Sequence, residues 1–235
     1  MVHEMSQPVL FVAADPRECA SWVARWSDVR PLNLPVHWAR AGKWLGMDVI
    51  AIANGAGWDR ANAAVLCMVE KPKAVFNIGF CGALDPALRI GDVFVASEVR
   101  SGGLKYMASA PQSKAQATTG ALASIPQIAQ TAAEKKSLRE RGMIVVEMEA
   151  AGVARASEEL GVQFYCVRAV SDLANEDFAN DFNRFLMSDG RFDVLGLIFR
   201  ALGSPIARFG ELIRLSRRTA LASRNLGEFL ANCSY

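Results

Sequence analysis

Short apolar runs alternate with segments of helical period along most of this chain. Pro8–Ala14 (PVLFVAA) reads as a buried strand, because its residues are apolar without alternation. Asp15-Pro16 then signals a helix start, with Asp as N-cap and Pro in the first turn. Cys19, Trp22, Val23 and Trp26 fall on one face of that helix. Met47–Ala53 is a second strand. Gly55-Ala56-Gly57 follows it and opens a helix from Trp58 to about Glu70. Ala74–Gly79 is a third strand, ended by a glycine-containing turn, and Asp92–Val99 a fourth. Met143–Val146 and Phe164–Val170 read as further strands. The helix between them shows Val153, Ala156 and Leu160 on its apolar face. This order predicts an α/β fold: a single domain over residues 1–235 with a central mostly parallel (mixed) sheet flanked by helices.

Ser101–Thr119 has no clear period and is rich in Ser, Gly, Ala, Gln and Thr. It reads as a mobile loop near a pocket mouth, with Tyr106 as its lone aromatic. The chain from Asp181 onward reads as helical. A C-terminal amphipathic segment spans about residues 192–232, with one long helix after Gly203-Ser204-Pro205. No internal repeat or linker interrupts the pattern.

Composition narrows the chemistry. Hydrophobic residues make up 51% of 235, which excludes disorder. No apolar run reaches the length of a membrane span, and the first residues show no secretory pattern. The five cysteines are scattered without a C-x-x-C pair, so neither a disulfide framework nor a zinc site is expected, and a cytoplasmic location is. His3 and His37 are the only histidines, and neither lies near a nucleophile motif. The net charge of +2 is too small to imply nucleic-acid binding. Gly55-Ala56-Gly57 lacks the third glycine of a dinucleotide fingerprint, since Arg60 stands there.

Two apolar runs end in acid. Val145-Val146-Glu147-Met148-Glu149-Ala150-Ala151 is one, and Val167-Arg168-Ala169-Val170-Ser171-Asp172 the other. Hydrophobic burial does not explain a carboxylate at the end of a buried strand. Such endings suit a ligand site at the carboxyl ends of parallel strands. The plainer alternative is a helix N-terminal acid. Glu147 takes that plainer reading, Glu149 and Asp172 the functional one.

Together with Asn77-Ile78-Gly79-Phe80-Cys81-Gly82-Ala83, these motifs resemble the nucleoside phosphorylase superfamily, in its branch of purine nucleoside phosphorylases and methylthioadenosine/S-adenosylhomocysteine nucleosidases. The resemblance runs from Val9 to about Asp172. It implies cleavage of a purine N-glycosidic bond without a metal or organic cofactor, in a homo-oligomer, with a dimer favoured. It also implies roles. Asp172 would be the general acid that protonates the leaving base, with Ser171 holding it. Glu149 would bind the ribose diol, with Met148 against the ribose face or in the core. Gly79, Phe80, Cys81 and Gly82 would line the base and ribose pocket, with Ile128 as a further lining residue. Phe80 and Cys81 depart from the smaller residues of the methylthioadenosine nucleosidases, and Phe80 either stacks on a ligand or fills core.

Ala14-Asp15-Pro16-Arg17-Glu18 discriminates within the superfamily. Phosphorylases have an Arg two residues after the Pro, where this chain has Glu18. Hydrolytic nucleosidases have a Glu at the matching place that deprotonates water. A carboxylate repels phosphate and can take a water proton. Two alternatives stand: a one-residue shift would bring Arg17 to a phosphate, and Glu18 has the position of an ordinary first-turn acid. Arg168 lies four residues before Asp172, which on a regular strand puts both on one face. It would pair with Glu149 or Glu18 and steer the water.

The expected activity is therefore hydrolysis of an adenosine-type nucleoside. A phosphate-dependent phosphorylase and a nucleoside-binding protein without turnover are the alternatives. The tail, Ala133-Glu134-Lys135 and Asp189-Gly190-Arg191 are also similar to hopanoid-associated members of the superfamily, which implies an apolar 5′ group such as a hopanoid. The basic C-terminal helix either docks on the domain or makes weak contact with the inner membrane.

Overall fold

In the computed structural model, β1 (Val9–Ala13) is buried along its whole length, between parallel neighbours β4 (Met47–Ala53) and β5 (Ala74–Ala83). That position explains its unbroken apolar run, since both of its faces are covered. Residues Gln7–Asp193 and Ile206–Ser234 are described. Alternate β1 residues feed two apolar clusters, one on each face of the sheet. Leu10 and Val12 pack with Val65, Val153 and Phe164, while Phe11 packs with Trp22, Phe76 and Tyr165.

The helix α1 (Pro16–Val23) begins as its sequence expects. Asp15 caps it by accepting from Arg17 N, and Glu18 reaches back to the cap. β2 (Ser27–Pro31) and β3 (Trp38–Trp44) then extend the sheet beyond β4 by antiparallel pairing. Neither strand announced itself, because β2 is exposed throughout and its SDVRP sequence carries no apolar alternation. The helix after Gly57, α2 (Trp58–Leu66), is shorter than expected and packs on α4 (Ala150–Leu160).

β5 organises the rest. It pairs with β11 (Gln163–Asp172), β11 with β6 (Val93–Ser101), and β6 with β9 (Thr118–Ser124). β9 pairs with β10 (Val145–Glu147), which returns to β5 at Gly82 and Ala83. These strands close a ring, and β1, β4, β3 and β2 continue from β5 as an open wing. The sheet is mixed: β10–β5, β11–β6 and the edge pairings are antiparallel, while the pairings around β1, β5–β11, β6–β9 and β9–β10 are parallel.

Three expectations are corrected. The glycines after Ile78 do not end the third strand, which runs on to Ala83 because it must reach β10. Ser101–Thr119 is not one loop. Gly102 and Gly103, both with positive φ, turn β6 into the antiparallel β7 (Leu104–Met107), β8 (Gln112–Ser113) follows, and β9 begins at Thr118. Tyr106 is buried in the core. The chain after Asp181 is not continuously helical either. A 3-10 turn at Phe182–Phe185 gives way to irregular chain to Asp193, with Gly190 at φ 77°. The segment 194–205 lies outside the described residues.

The long C-terminal helix is α5 (Ile206–Ala231). It docks through Ala222, Leu226, Phe229 and Leu230 onto α1 and the Trp22 cluster. Arg218 pairs with Glu176, and the buried Glu211 accepts from Ala179 N and Asn180 N. Among the described residues no helix is long and apolar enough to cross a membrane. β12 (Cys233–Ser234) finishes on β8.

Candidate active site

Glu18 leaves the first turn of α1 and turns inward. Its Oε2 accepts from Ala14 N at 2.8 Å and Asp15 N at 3.1 Å, and its Oε1 accepts from Phe80 N at 2.8 Å. It thus joins the end of β1 to the middle of β5. Burial raises its pKa, and the charge of Arg168 opposes that rise. Gly79 makes the approach possible. A Cβ there would lie 2.6 Å from both Glu18 Oε1 and Arg168 Nη1. Arg17 points the other way. Its side chain is 70% exposed and held by Asp15 through two guanidinium nitrogens. The one-residue shift that would offer Arg17 to a phosphate is thus not the arrangement seen.

Glu149 forms the N-cap of α4, and its Oε1 accepts from Gly57 N at 3.1 Å, so the glycine loop after β4 meets the second acid run. Its carboxyl is pushed up to about 8, first by burial and then by repulsion from Glu147, with Arg168 working against both. Glu147 accepts from Glu149 N and Ala150 N, the helix-start role expected of it. It is also the main partner of Arg168, a link the sequence did not suggest.

Arg168 has no exposed surface. Its guanidinium contacts Glu147 and Asn77, reaches the Ile78 carbonyl, and stands 3.6 Å from Glu149. Burial acts against its charge, and the surrounding acids, Glu147 foremost, more than compensate and raise its pKa. The expected pairing with Glu149 is present, while Glu18 feels Arg168 as a neighbouring charge. The expected shared face with Asp172 does not follow from strand period. The β11–β5 register shifts between Val170 and Asp172, which breaks the alternation.

Asp172 closes β11 over Gly82, where a Cβ would lie 2.8 Å from its Oδ2. The Ser171 hydroxyl stands 3.0 Å from Asp172 Oδ1 and 3.2 Å from the Cys81 carbonyl, and its single proton serves one of them at a time. Oδ2 accepts from Lys135 Nζ at 2.6 Å. Lys135 comes from α3 (Ala132–Glu140), a polar helix with a Thr131–Glu134 capping box. The polar pattern of α3 does not distinguish Lys135 from a solvated lysine, yet it is fully buried.

Of the remaining expected residues, Met148, Phe80 and Cys81 neighbour these acids. Met148 and Cys81 are buried, and burial raises the Cys81 thiol well above its usual range. Phe80 is half-buried against the Trp22 cluster. Ile128 is half-buried and exchanges two hydrogen bonds with the Asn183 side chain, 2.8 Å from its N and 3.0 Å from its O. Among the described residues no group of three or more His, Cys, Asp or Glu side chains is placed to hold a metal ion.

This chain is similar to known proteins in sequence and in fold. The nucleosidase of Shewanella piezotolerans, a 5′-methylthioadenosine/S-adenosylhomocysteine nucleosidase, is 28% identical over 191 residues, which cover 67% of this chain and 83% of that protein. The protein of the same name from Shewanella oneidensis is 29% identical over 187 residues, 66% and 79% of the two chains. Among solved structures, the Neisseria meningitidis nucleosidase in complex with methylthio-immucillin-A superposes with a TM-score of 0.72 at 18% identity, covering 96% of this chain and 97% of that one. Futalosine hydrolase of Helicobacter pylori does so with a TM-score of 0.72 at 17% identity, covering 96% of each. The model of the phosphorylase superfamily matches residues 9–115 and 105–189, which together hold β1, Glu18, Glu149 and Asp172, and the chain belongs to that superfamily.

Proposed function

We propose that this protein is an N-ribosyl hydrolase that cleaves the N-glycosidic bond of an adenosine-type nucleoside. The observation that carries this reading is the buried carboxylate of Glu18, fixed by three backbone N–H groups beside Gly79, with Arg17 turned to solvent. A fixed anion repels phosphate and can accept a proton from water. The similarity to proteins named as nucleosidases supports the same direction.

The chemistry divides among three acids. Asp172, at the end of β11, supplies a proton to the imidazole ring of the purine, which turns the base into a leaving group. Glu149 accepts the two ribose hydroxyls, and its negative charge stabilises the positive charge that develops on the sugar as the bond breaks. Glu18 takes the proton of the attacking water. Arg168, without exposed surface and spent on Glu147, Asn77 and the Ile78 carbonyl, acts through the acids rather than on water. It holds Glu147 and Glu149 in place and keeps a positive charge near Glu18. No step calls for a cofactor.

The names of the relatives, 5′-methylthioadenosine/S-adenosylhomocysteine nucleosidases, support an apolar 5′ thioether over a bare hydroxyl. A hopanoid is the bulkiest apolar 5′ group expected, and a short thioether the smallest. Incubating the protein with adenosine, inosine and a series of 5′-alkylthioadenosines, and measuring released base by chromatography, tests the reading. Adenine release that improves with the alkyl group is expected. Release of base from none of these would overturn the assignment, and a preference for inosine would overturn its substrate class.

A further inference from the structure

Lysine is among the residues least often fully buried, and an unpaired buried ammonium is costly. Lys135 is nonetheless without exposed surface. Its Nζ donates to Asp172 Oδ2 at 2.6 Å and to the Leu173 carbonyl at 2.8 Å, and it lies 5.0 Å from the ring centre of Phe178. Two of its three N–H bonds are thus spent on oxygen atoms, and the third region faces an aromatic ring. Stability explains the pair poorly, because a well-packed apolar pair of similar volume commonly stabilises a fold as well as a buried ion pair does. The pair ends on the carboxylate that the nucleosidase reading assigns to base protonation.

Resting on that reading, we propose that Lys135 is a positioning residue that acts through Asp172 as its proton store. The ammonium fixes the carboxylate and passes, by way of Oδ2, the proton that the leaving base takes. One proton moves from Nζ to Oδ2 and makes Asp172 a neutral acid. That acid protonates a ring nitrogen of the purine as the glycosidic C–N bond breaks, and the bonding pair leaves with the base. Water oxygen bonds to the anomeric carbon and its proton goes to Glu18. Glu18 then releases a proton to solvent, and once the base has left a solvent proton returns to the Lys135 amine by way of the partly exposed Asp172 carboxylate, which closes the cycle without a further reactant.

The other ionisable groups facing Asp172 do not fill this role. Cys81 on β5 carries a thiol that burial keeps protonated, and its carbonyl accepts from Ser171. Arg218 on α5 is held by two bonds to Glu176, at 2.6 and 2.9 Å, and a guanidinium does not give up its proton.

The test compares a purine nucleoside with p-nitrophenyl β-D-riboside, whose leaving group needs no proton. In Lys135→Met, purine kcat should fall about a hundredfold, the low end of what a general acid contributes. KM and p-nitrophenyl release should stay within a few-fold of wild type, and the alkaline limb of purine kcat should move to lower pH. Lys135→Gln keeps an N–H near Oδ2 and carries the same expectation where the Met variant does not fold. In the wild-type protein itself, purine turnover relative to p-nitrophenyl turnover should drop as pH rises. Unchanged purine kcat or equal losses on both substrates would overturn the proposal alone, and a ratio flat with pH would overturn base protonation by Asp172 together with it. A wild type inactive on every purine nucleoside would overturn the nucleosidase reading and this proposal with it.

Discussion

Glu149 sits between an acid and a base, and its ionisation follows from that competition. Burial and Glu147 push its carboxyl up to about 8, while Arg168 resists. If the ionised form holds the ribose diol, kcat/KM on a purine nucleoside should climb as pH passes through about 8, because that parameter reports the free enzyme. Glu149→Gln should lower kcat more than it raises KM, since the lost charge acts mainly on a cationic transition state. A rise in KM alone would mean that Glu149 only holds substrate. The same shift has a thermodynamic sign. A carboxyl raised in the folded state keeps a proton that the unfolded chain has already lost, so folding weakens as pH rises from the ordinary Glu range toward about 8. Urea midpoints at pH 6 and pH 8 should therefore drop further for wild type than for Glu149→Gln. Equal drops would contradict the shift. Asp172→Asn should cost about a hundredfold to ten-thousandfold on purine nucleosides and spare p-nitrophenyl riboside. Near-normal purine turnover would remove Asp172 from its role. Glu149 and Asp172 stood out in the sequence because each ends an apolar run, whereas Glu18 stood out only through the resemblance of Ala14–Glu18 to the superfamily. Lys135 did not, because a lysine on a polar helix looks the same whether it faces solvent or an acid.

At the scale of elements, β5 joins the ring to the wing and carries the two glycines over which the acids lie. Gly79 admits Glu18 and Arg168, and Gly82 admits Asp172, three residues or about 10 Å further along the strand. Gly79→Ala would place a methyl 2.6 Å from two charged groups. It should destabilise the fold by about 1–3 kcal/mol, the usual range for overpacking, and displace Glu18. Chemical denaturation together with a turnover assay checks both, and a variant with native midpoint and rate would refute the close approach. The sequence marked these glycines but read them as a turn, since local pattern cannot show that β5 continues to meet β10. Strands buried on both faces, such as β1, β4 and β11, were readable from their apolar runs. The exposed β2, and β7 behind its Gly102-Gly103 turn, were not, because their pairing is set by neighbours distant in sequence. α5 was visible from its helical period; its second half docks through Phe229 and Leu230, while Phe209 and Ile213 of the apolar stripe in its first half stay exposed.

For the whole molecule, the ring and the wing bring together acids far apart in the chain. Glu18 follows the first strand, Glu149 begins α4, and Asp172 ends β11. Glu18 presents a buried carboxylate at the place proposed for water activation, and a phosphate there would need a cation instead. The most direct measurement is the sugar product formed from adenosine or a 5′-alkylthioadenosine, identified by mass spectrometry, with and without inorganic phosphate. Free ribosyl sugar, formed at the same rate in both conditions, is the expected result. A ribose 1-phosphate product, with a rate that saturates in phosphate, would contradict the assignment of Glu18 as the base that activates water.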